Sequence, residues 1–119
     1  MASARSTADI VRSSYEAFAG RDRARAEKAL SDDFTFTSPY DDHIDKSTYF
    51  QRCWPYGDTI EKLEIISVMT DGDDATVVYE ISPKDGAPFR NAERLRVEGG
   101  KIREVEVFFG ALPRTTSDE

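Results

Sequence analysis

The only histidine of the chain stands in an acidic run, Asp41-Asp42-His43-Ile44-Asp45. An imidazole beside a carboxylate can take up and release a proton near neutral pH, as general acid-base catalysis requires. His43 with Asp42 is therefore a candidate proton shuttle. The alternative is structural and is favoured by the pattern, because aspartates that follow a proline commonly close turns and cap helices.

Glu93 is the second candidate for acid-base chemistry. Residues 89–97 alternate between an apolar and a basic face, as a strand buried on one side does. The apolar face holds Phe89, Asn91, Glu93, Leu95 and Val97, and the other face holds Arg90, Arg94 and Arg96. Burial raises the pKa of a carboxyl group, which would make Glu93 an acid or a hydrogen-bond donor. The open alternative is a Glu paired with a buried Tyr, Arg or Lys that joins the sheet to the helices.

Aromatic side chains are concentrated between Phe34 and Trp54, together with the only Cys and the only Trp. Near the end of this segment they recur at helical spacing, which is typical of a core face or of the apolar wall of a pocket. We expect Trp54 and Tyr40 to contact a ligand. Cys53 is expected to pack as a small apolar residue.

Metal and cofactor signatures are weak. One His and one Cys give no HxxxH or CxxC pair, so we predict no metal site. The only adjacent glycines, Gly99 and Gly100, belong to a turn rather than to a phosphate loop, so no cofactor is expected.

Helices dominate the predicted elements of the first half. Apolar spacing, caps and breakers predict a helix over Thr7–Gly20 capped by Thr7, a short helix over Arg21–Leu30, a strand over Phe34–Ser38, an acidic loop, and a helix from Asp45 or Ser47 to about Trp54.

Strands make up the second half. The turn sequences DGDD, KDG and EGG separate extended stretches over Thr59–Thr70, Ala75–Ser82, Phe89–Glu98 and Lys101–Phe109. Helices followed by a meander of strands predict an α+β domain whose helices cover one face of a mainly antiparallel sheet.

The composition fits one globular domain. The chain has 119 residues, 39% of them hydrophobic and 33% charged, so we expect a single domain over 1–119, with an ordered core over about 7–112 and a flexible tail over 113–119. A formal net charge of -7 argues against nucleic acid or an anionic membrane as partner. With no apolar run near the length of a membrane span and no h-region, we expect a cytoplasmic protein.

Two passages, RDRARAEKALSDDFTFTSP and GGKIREVEVFFGALP, resemble the nuclear transport factor 2-like superfamily, in its small SnoaL-like bacterial branch. The resemblance implies a cystatin-like, cone-shaped roll in which three N-terminal helices pack on a curved sheet around a pocket. It also implies a homodimer through the outer sheet face. Related pockets serve isomerases, cyclases, dehydratases, epoxide hydrolases and binding subunits, so the fold alone does not define the function.

The ketosteroid isomerases of that superfamily provide a test by position. The resemblance places their base carboxylate at Ser38, their helical Tyr donor at Ser14 beside Tyr15, and their strand acid at Glu93. Two of the three roles lack the expected side chain unless the register slips by one residue to Tyr15. Ketosteroid isomerase activity is therefore not expected.

Our leading expectation is the binding of a small, largely apolar molecule between the sheet and the helices. The alternatives are a lyase, isomerase or hydrolase that uses Glu93, with His43 and Asp42, and a structural role in which side chains fill the pocket. The pattern and the resemblance together predict a pocket lined by Tyr15, Phe18, Phe36, Ser38, Tyr40, Phe50, Trp54, Asn91, Val97, Val107 and Phe109.

Overall fold

The computed structural model describes residues 6–110. Within that range the helices are α1 (Thr7–Ala19), α2 (Arg23–Ala29), α3 (Lys46–Arg52) and a 3₁₀ helix (Trp54–Thr59). The strands are β1 (Leu30–Ser38), β2 (Asp41–Asp45), β3 (Ile60–Asp71), β4 (Asp74–Pro83), β5 (Phe89–Glu98) and β6 (Lys101–Phe109). The tail predicted to be flexible, 113–119, lies outside the described residues.

The strands form one sheet in the order β2-β1-β6-β5-β4-β3. Every neighbouring pair is antiparallel except β1 and β6, which run parallel. The helices cover one face, and the largest fully buried side chains lie between the two layers: Val11, Phe34, Val77, Leu95 and Ile102. The predicted α+β roll of three helices on a mainly antiparallel sheet is confirmed.

Strand β1 begins at Leu30, four residues before the predicted Phe34. Two further local predictions also differ from the structure. The expected acidic loop is strand β2, which returns antiparallel along β1 and pairs Ser38 with Asp41. Ser6 rather than Thr7 caps α1 by accepting a hydrogen bond from the amide of Asp9. The Thr7 hydroxyl instead donates to the carbonyl of Gly72 at 2.9 Å and joins α1 to the β3–β4 turn.

Among residues 6–110, no helix has the length and apolar character needed to cross a membrane. In the same range, no group of three or more His, Cys, Asp or Glu side chains could hold a metal ion.

Candidate functional site

A cavity of about 730 Å³ lies between the helices and the inner face of the sheet. Its volume is within the range of roughly 300–1,000 Å³ that is typical of small-molecule sites. Most of the wall is apolar or aromatic, with contributions from α1, α3, the 3₁₀ helix and the central strands. An apolar wall of this kind favours a largely apolar ligand, because removing apolar surface from water is favourable.

The main polar feature of the wall is a carboxyl group held by two tyrosines. The Tyr15 hydroxyl, from α1, donates to Glu93 Oε1 at 2.5 Å. The Tyr79 hydroxyl, from β4, donates to Glu93 Oε2 at 2.5 Å. Asn91 supports Tyr79 by donating to its hydroxyl oxygen at 3.4 Å, and the Asn91 side-chain carbonyl accepts from the Gly110 amide at 3.2 Å. We call Tyr15, Glu93 and Tyr79 the carboxyl triad.

The environment changes the acidity of all three members of the carboxyl triad. Desolvation raises the pKa of Glu93, and the hydrogen bonds from Tyr15 and Tyr79 oppose this rise in part. Burial, with Glu93 nearby, also raises the pKa of Tyr15 and Tyr79 well above their ordinary values. The tyrosines therefore keep their protons, and Glu93 is the member that changes protonation state.

Trp54 forms part of the wall and is fixed from behind by Arg21. The Arg21 guanidinium lies 4.2 Å from the centre of the Trp54 ring and donates to the Trp54 carbonyl at 2.7 Å. The Phe18 ring meets the Trp54 ring edge-on, with 5.4 Å between their centres. These contacts fix the orientation of an aromatic surface that faces the cavity.

A second carboxyl group, that of Asp41, lines the cavity away from the carboxyl triad. Its side chain is 8% exposed and forms an ion pair with Arg52, with 2.8 Å between Asp41 Oδ1 and Arg52 Nη2. Burial, with Asp41 nearby, raises the pKa of the Cys53 thiol to about 11, so that this neighbour stays protonated.

Asp41 and Glu93 lie at the two ends of one row across the sheet. Glu93 pairs with Val107, and Ser38 pairs with Asp41. Ser38 and Val107 follow the paired residues Thr37 and Glu106 on the parallel strands β1 and β6. All four members of the row line the cavity. Three strand spacings of about 4.8 Å therefore separate the backbones of Asp41 and Glu93 along the sheet, roughly 14 Å in all.

The structure brings most of the expected pocket residues to the cavity wall. These are Tyr15, Phe18, Phe36, Ser38, Tyr40, Trp54, Asn91, Val107 and Phe109, and the candidate acid Glu93 also lines the wall. Phe50 and Val97 were also predicted to line the pocket, but both are absent from the wall and lie in the buried core. Phe50 packs between Trp54 and the Arg23 guanidinium, and Val97 pairs with Ile102 near the end of β5.

The predicted place of His43 and Asp42 at the pocket also differs from the structure, because neither residue lines the cavity. His43 Nδ1 lies 2.6 Å from Asp42 Oδ1, and its other nitrogen lies 3.9 Å from Glu104 Oε2. Because β2 continues the sheet and alternates, Asp41 faces the cavity while its successor Asp42 is exposed. The cavity wall therefore contains Glu93 without this pair.

The sequence interpretation missed Tyr79 and Asp41. Alternation of Ala75, Val77, Tyr79 and Ile81 in β4 carried the signal for Tyr79, since all four are buried on the inner face. Asp41 had no such signal, because it belongs to an acidic run that was predicted to be a loop and so had no inward-facing position. Tyr15, the residue after Ser14, donates its hydroxyl hydrogen bond to Glu93.

A family model described as SnoaL-like domain matches residues 11–105. An NTF2-like protein of unknown function from Cytophaga hutchinsonii is 24% identical, with a TM-score of 0.74 over 92% of this chain and 94% of that chain. A protein from Kribbella flavida described as a candidate ketosteroid isomerase is 17% identical, with a TM-score of 0.75 over 92% and 81%. A candidate polyketide cyclase from Sinorhizobium meliloti is 20% identical, with a TM-score of 0.70 over 83% and 93%. At these identities the likeness shows the fold. No curated protein matches the chain.

Proposed function

This chain belongs to the SnoaL-like domain family, and we propose that it binds a small, largely apolar molecule in the cavity between the helices and the sheet. The observation that carries the proposal is an apolar cavity of about 730 Å³ with the carboxyl triad in its wall. The apolar wall would bind the body of the ligand. The triad would hold one hydroxyl or carbonyl group of the ligand and fix its orientation.

Binding is favoured over isomerase-type catalysis by the separation of Asp41 and Glu93 across the sheet. Enolisation of a ketone needs a donor at the carbonyl oxygen and a base close to the neighbouring carbon. With the ligand carbonyl at the carboxyl triad, the backbone of Asp41 lies three strand spacings away, roughly 14 Å along the sheet. This separation does not favour proton transfer from the neighbouring carbon to the Asp41 carboxylate. Ser38, which lies between them in the row, is not a base by itself.

A titration monitored by Trp54 fluorescence tests the binding proposal. Trp54 is the only tryptophan and lines the cavity, so saturable binding of 1-decanol should change its emission. Val107→Phe should extend a phenyl ring into the cavity beside Glu93 and weaken binding about tenfold or more. Val97→Phe is the matched control in the core, where the larger side chain should lower stability by about 1–3 kcal/mol. Binding of 1-decanol that is unaffected by Val107→Phe would contradict the proposal.

The raised pKa of Glu93 supports a second candidate, a lyase, isomerase or hydrolase with Glu93 as acid and Tyr15 as donor. The hydrogen–deuterium exchange of 2-decanone next to its carbonyl, followed by NMR in D₂O, separates the two candidates. The binding proposal predicts exchange at the rate of buffer alone. Acceleration by the wild type that is lost in Glu93→Gln would favour the enzyme.

We also propose a homodimer through the outer sheet face. Val78, Ala92 and Phe108 form an apolar row on that face, and Phe108 is 50% exposed. The adjacent row pairs Arg94 with Glu106, so a second copy would meet both apolar and complementary charged groups. Light scattering should give a dimer mass for the wild type and for the exposed control Lys84→Glu, and a monomer mass for Phe108→Lys. A wild-type monomer at about 100 µM would contradict the dimer.

A further inference from the structure

The cavity has a second polar end, which consists of Asp41 and the side chains around it. Asp41 Oδ2 accepts from the Ser38 hydroxyl at 3.3 Å and lies 3.9 Å from the Cys53 sulfur. Its other oxygen, Oδ1, is buried, and no residue within 6–110 donates an aligned hydrogen bond to it. The second polar end therefore presents one acceptor oxygen that is ion-paired with Arg52 and lacks an aligned hydrogen bond.

Arg52 balances the charge of Asp41 without saturating that oxygen. The guanidinium nitrogen lies 2.8 Å from Oδ1, but the Arg52 side chain is 55% exposed and approaches outside the alignment of a hydrogen bond. An ionised Asp accepts hydrogen bonds and donates none. A buried acceptor that lacks an aligned donor is less favourable than one that has it, and a ligand hydroxyl or amine could supply that aligned donor.

The row that joins Asp41 to Glu93 sets the shape of the ligand. Roughly 14 Å of sheet separates the two ends, and the wall between and around them is mainly apolar. We infer that the ligand is an elongated, mainly apolar molecule with a polar group near each end. One of these groups is a hydroxyl or amine that donates to Asp41 Oδ1. This inference rests on the proposed function and narrows its ligand class.

The test compares 1,10-decanediol with 1-decanol by Trp54 fluorescence. The wild type should bind the diol at least about fivefold more tightly, because its second hydroxyl reaches an acceptor that carries charge. Asp41→Ala should remove this preference. It should lower the affinity for 1-decanol by no more than about twofold, because the carboxyl triad still holds the single hydroxyl of that alcohol. Asp42→Ala is the matched control, with the same change one residue later on an exposed side chain, and should keep the preference.

Other results would overturn the inference. A wild type without preference for the diol would do so, as would a preference that persists in Asp41→Ala. Tighter binding of 10-hydroxydecanoate than of the diol, lost in Arg52→Gln, would assign the second end to an anion held by Arg52. If neither alcohol gives a saturable response, the proposed function fails and this inference fails with it. If circular dichroism shows that Asp41→Ala does not fold, Asp41→Leu keeps a similar side-chain size and removes both acceptor oxygens. A preference for the diol that is unchanged in that variant overturns the inference.

Discussion

Gly57 provides the space that the Arg21 guanidinium occupies. A Cβ at residue 57 would lie 1.8 Å from Arg21 Nη1 and 2.5 Å from Arg21 Cζ. The same guanidinium stacks on Trp54 and forms an ion pair with Asp58 at 2.9 Å. A glycine in the 3₁₀ helix therefore allows a side chain from the α1–α2 corner to fix the aromatic wall of the cavity.

Gly57→Ala should displace Arg21 and lower the free energy of unfolding by about 1–3 kcal/mol, the usual range for an overpacked site. The displaced guanidinium would also leave Trp54, so the emission of the folded variant should shift. Urea unfolding gives the stability. In an Arg21→Ala background the clash is absent, so Gly57→Ala should lower the free energy of unfolding by clearly less than it does in the wild type. Equal costs in the two backgrounds would contradict the role assigned to Gly57.

Glu93 should make the protein less stable as the pH rises. Desolvation raises its pKa in the folded state above the ordinary value of about 4.5. At a pH between the ordinary pKa and the raised pKa, the folded state therefore binds more protons than the unfolded state. The free energy of unfolding then falls with increasing pH in that window, by at most about 1.4 kcal/mol per pH unit. Glu93→Gln removes this contribution, so the stability of the variant relative to wild type should increase as the pH rises.

Urea unfolding at several pH values between about 4.5 and 9 measures this difference. Glu61→Gln changes an exposed carboxyl group and is the control. If Glu93→Gln and the wild type lose or gain stability in parallel across the whole range, desolvation does not dominate at Glu93.

The fold was predictable because its signals are local. Alternation over Phe89–Glu98 and Lys101–Phe109 gave both strands with the bounds observed. Strand β2 was not predictable in the same way, because Asp41–Asp45 has little apolar character. Its pairing with Phe36 and Ser38 depends on β1, which in turn depends on β6. Long-range pairing of this kind leaves no local pattern.

The site was only partly predictable for a related reason. Glu93 stood out because a carboxyl group on an apolar face is unusual. Its partners Tyr15 and Tyr79 come from α1 and β4, 78 and 14 residues away in the chain, and tyrosine on a buried face is ordinary. His43 was conspicuous by its chemistry, yet the register of β2 places its ring where 61% of it is exposed.

His43 should titrate above its ordinary pKa of 6.5. The hydrogen bond with Asp42 is the main cause, and the charge of Asp42 adds to it. The imidazolium thus contributes stability below about pH 6.5 that is lost as the pH rises through the raised pKa. Because the chain has one histidine, its NMR titration is unambiguous, and Asp42→Asn should lower the pKa. The same pKa in the variant and the wild type would contradict this assignment.

The carboxyl triad should couple the binding of a ketone to the protonation of Glu93. While Glu93 is ionised, the hydroxyl protons of Tyr15 and Tyr79 both point at it, so neither is available to a ligand carbonyl. A protonated Glu93 donates to one tyrosine oxygen and frees the proton of that tyrosine for the ligand. Asn91 already donates to the Tyr79 oxygen, so Tyr15 is the member expected to turn toward the cavity.

The affinity for 2-decanone should therefore fall about tenfold per pH unit above the pKa of Glu93. The affinity for 1-decanol should stay level, because an alcohol can donate to the Tyr15 oxygen in either state. Trp54 fluorescence titrations between about pH 5 and pH 9 measure both. Tyr15→Phe should lower the affinity for 2-decanone at low pH and make that affinity less dependent on pH. Tyr79→Phe should have the same effects to a smaller extent. Parallel pH profiles for the ketone and the alcohol would mean that the ligand carbonyl takes its hydrogen bond from outside the carboxyl triad.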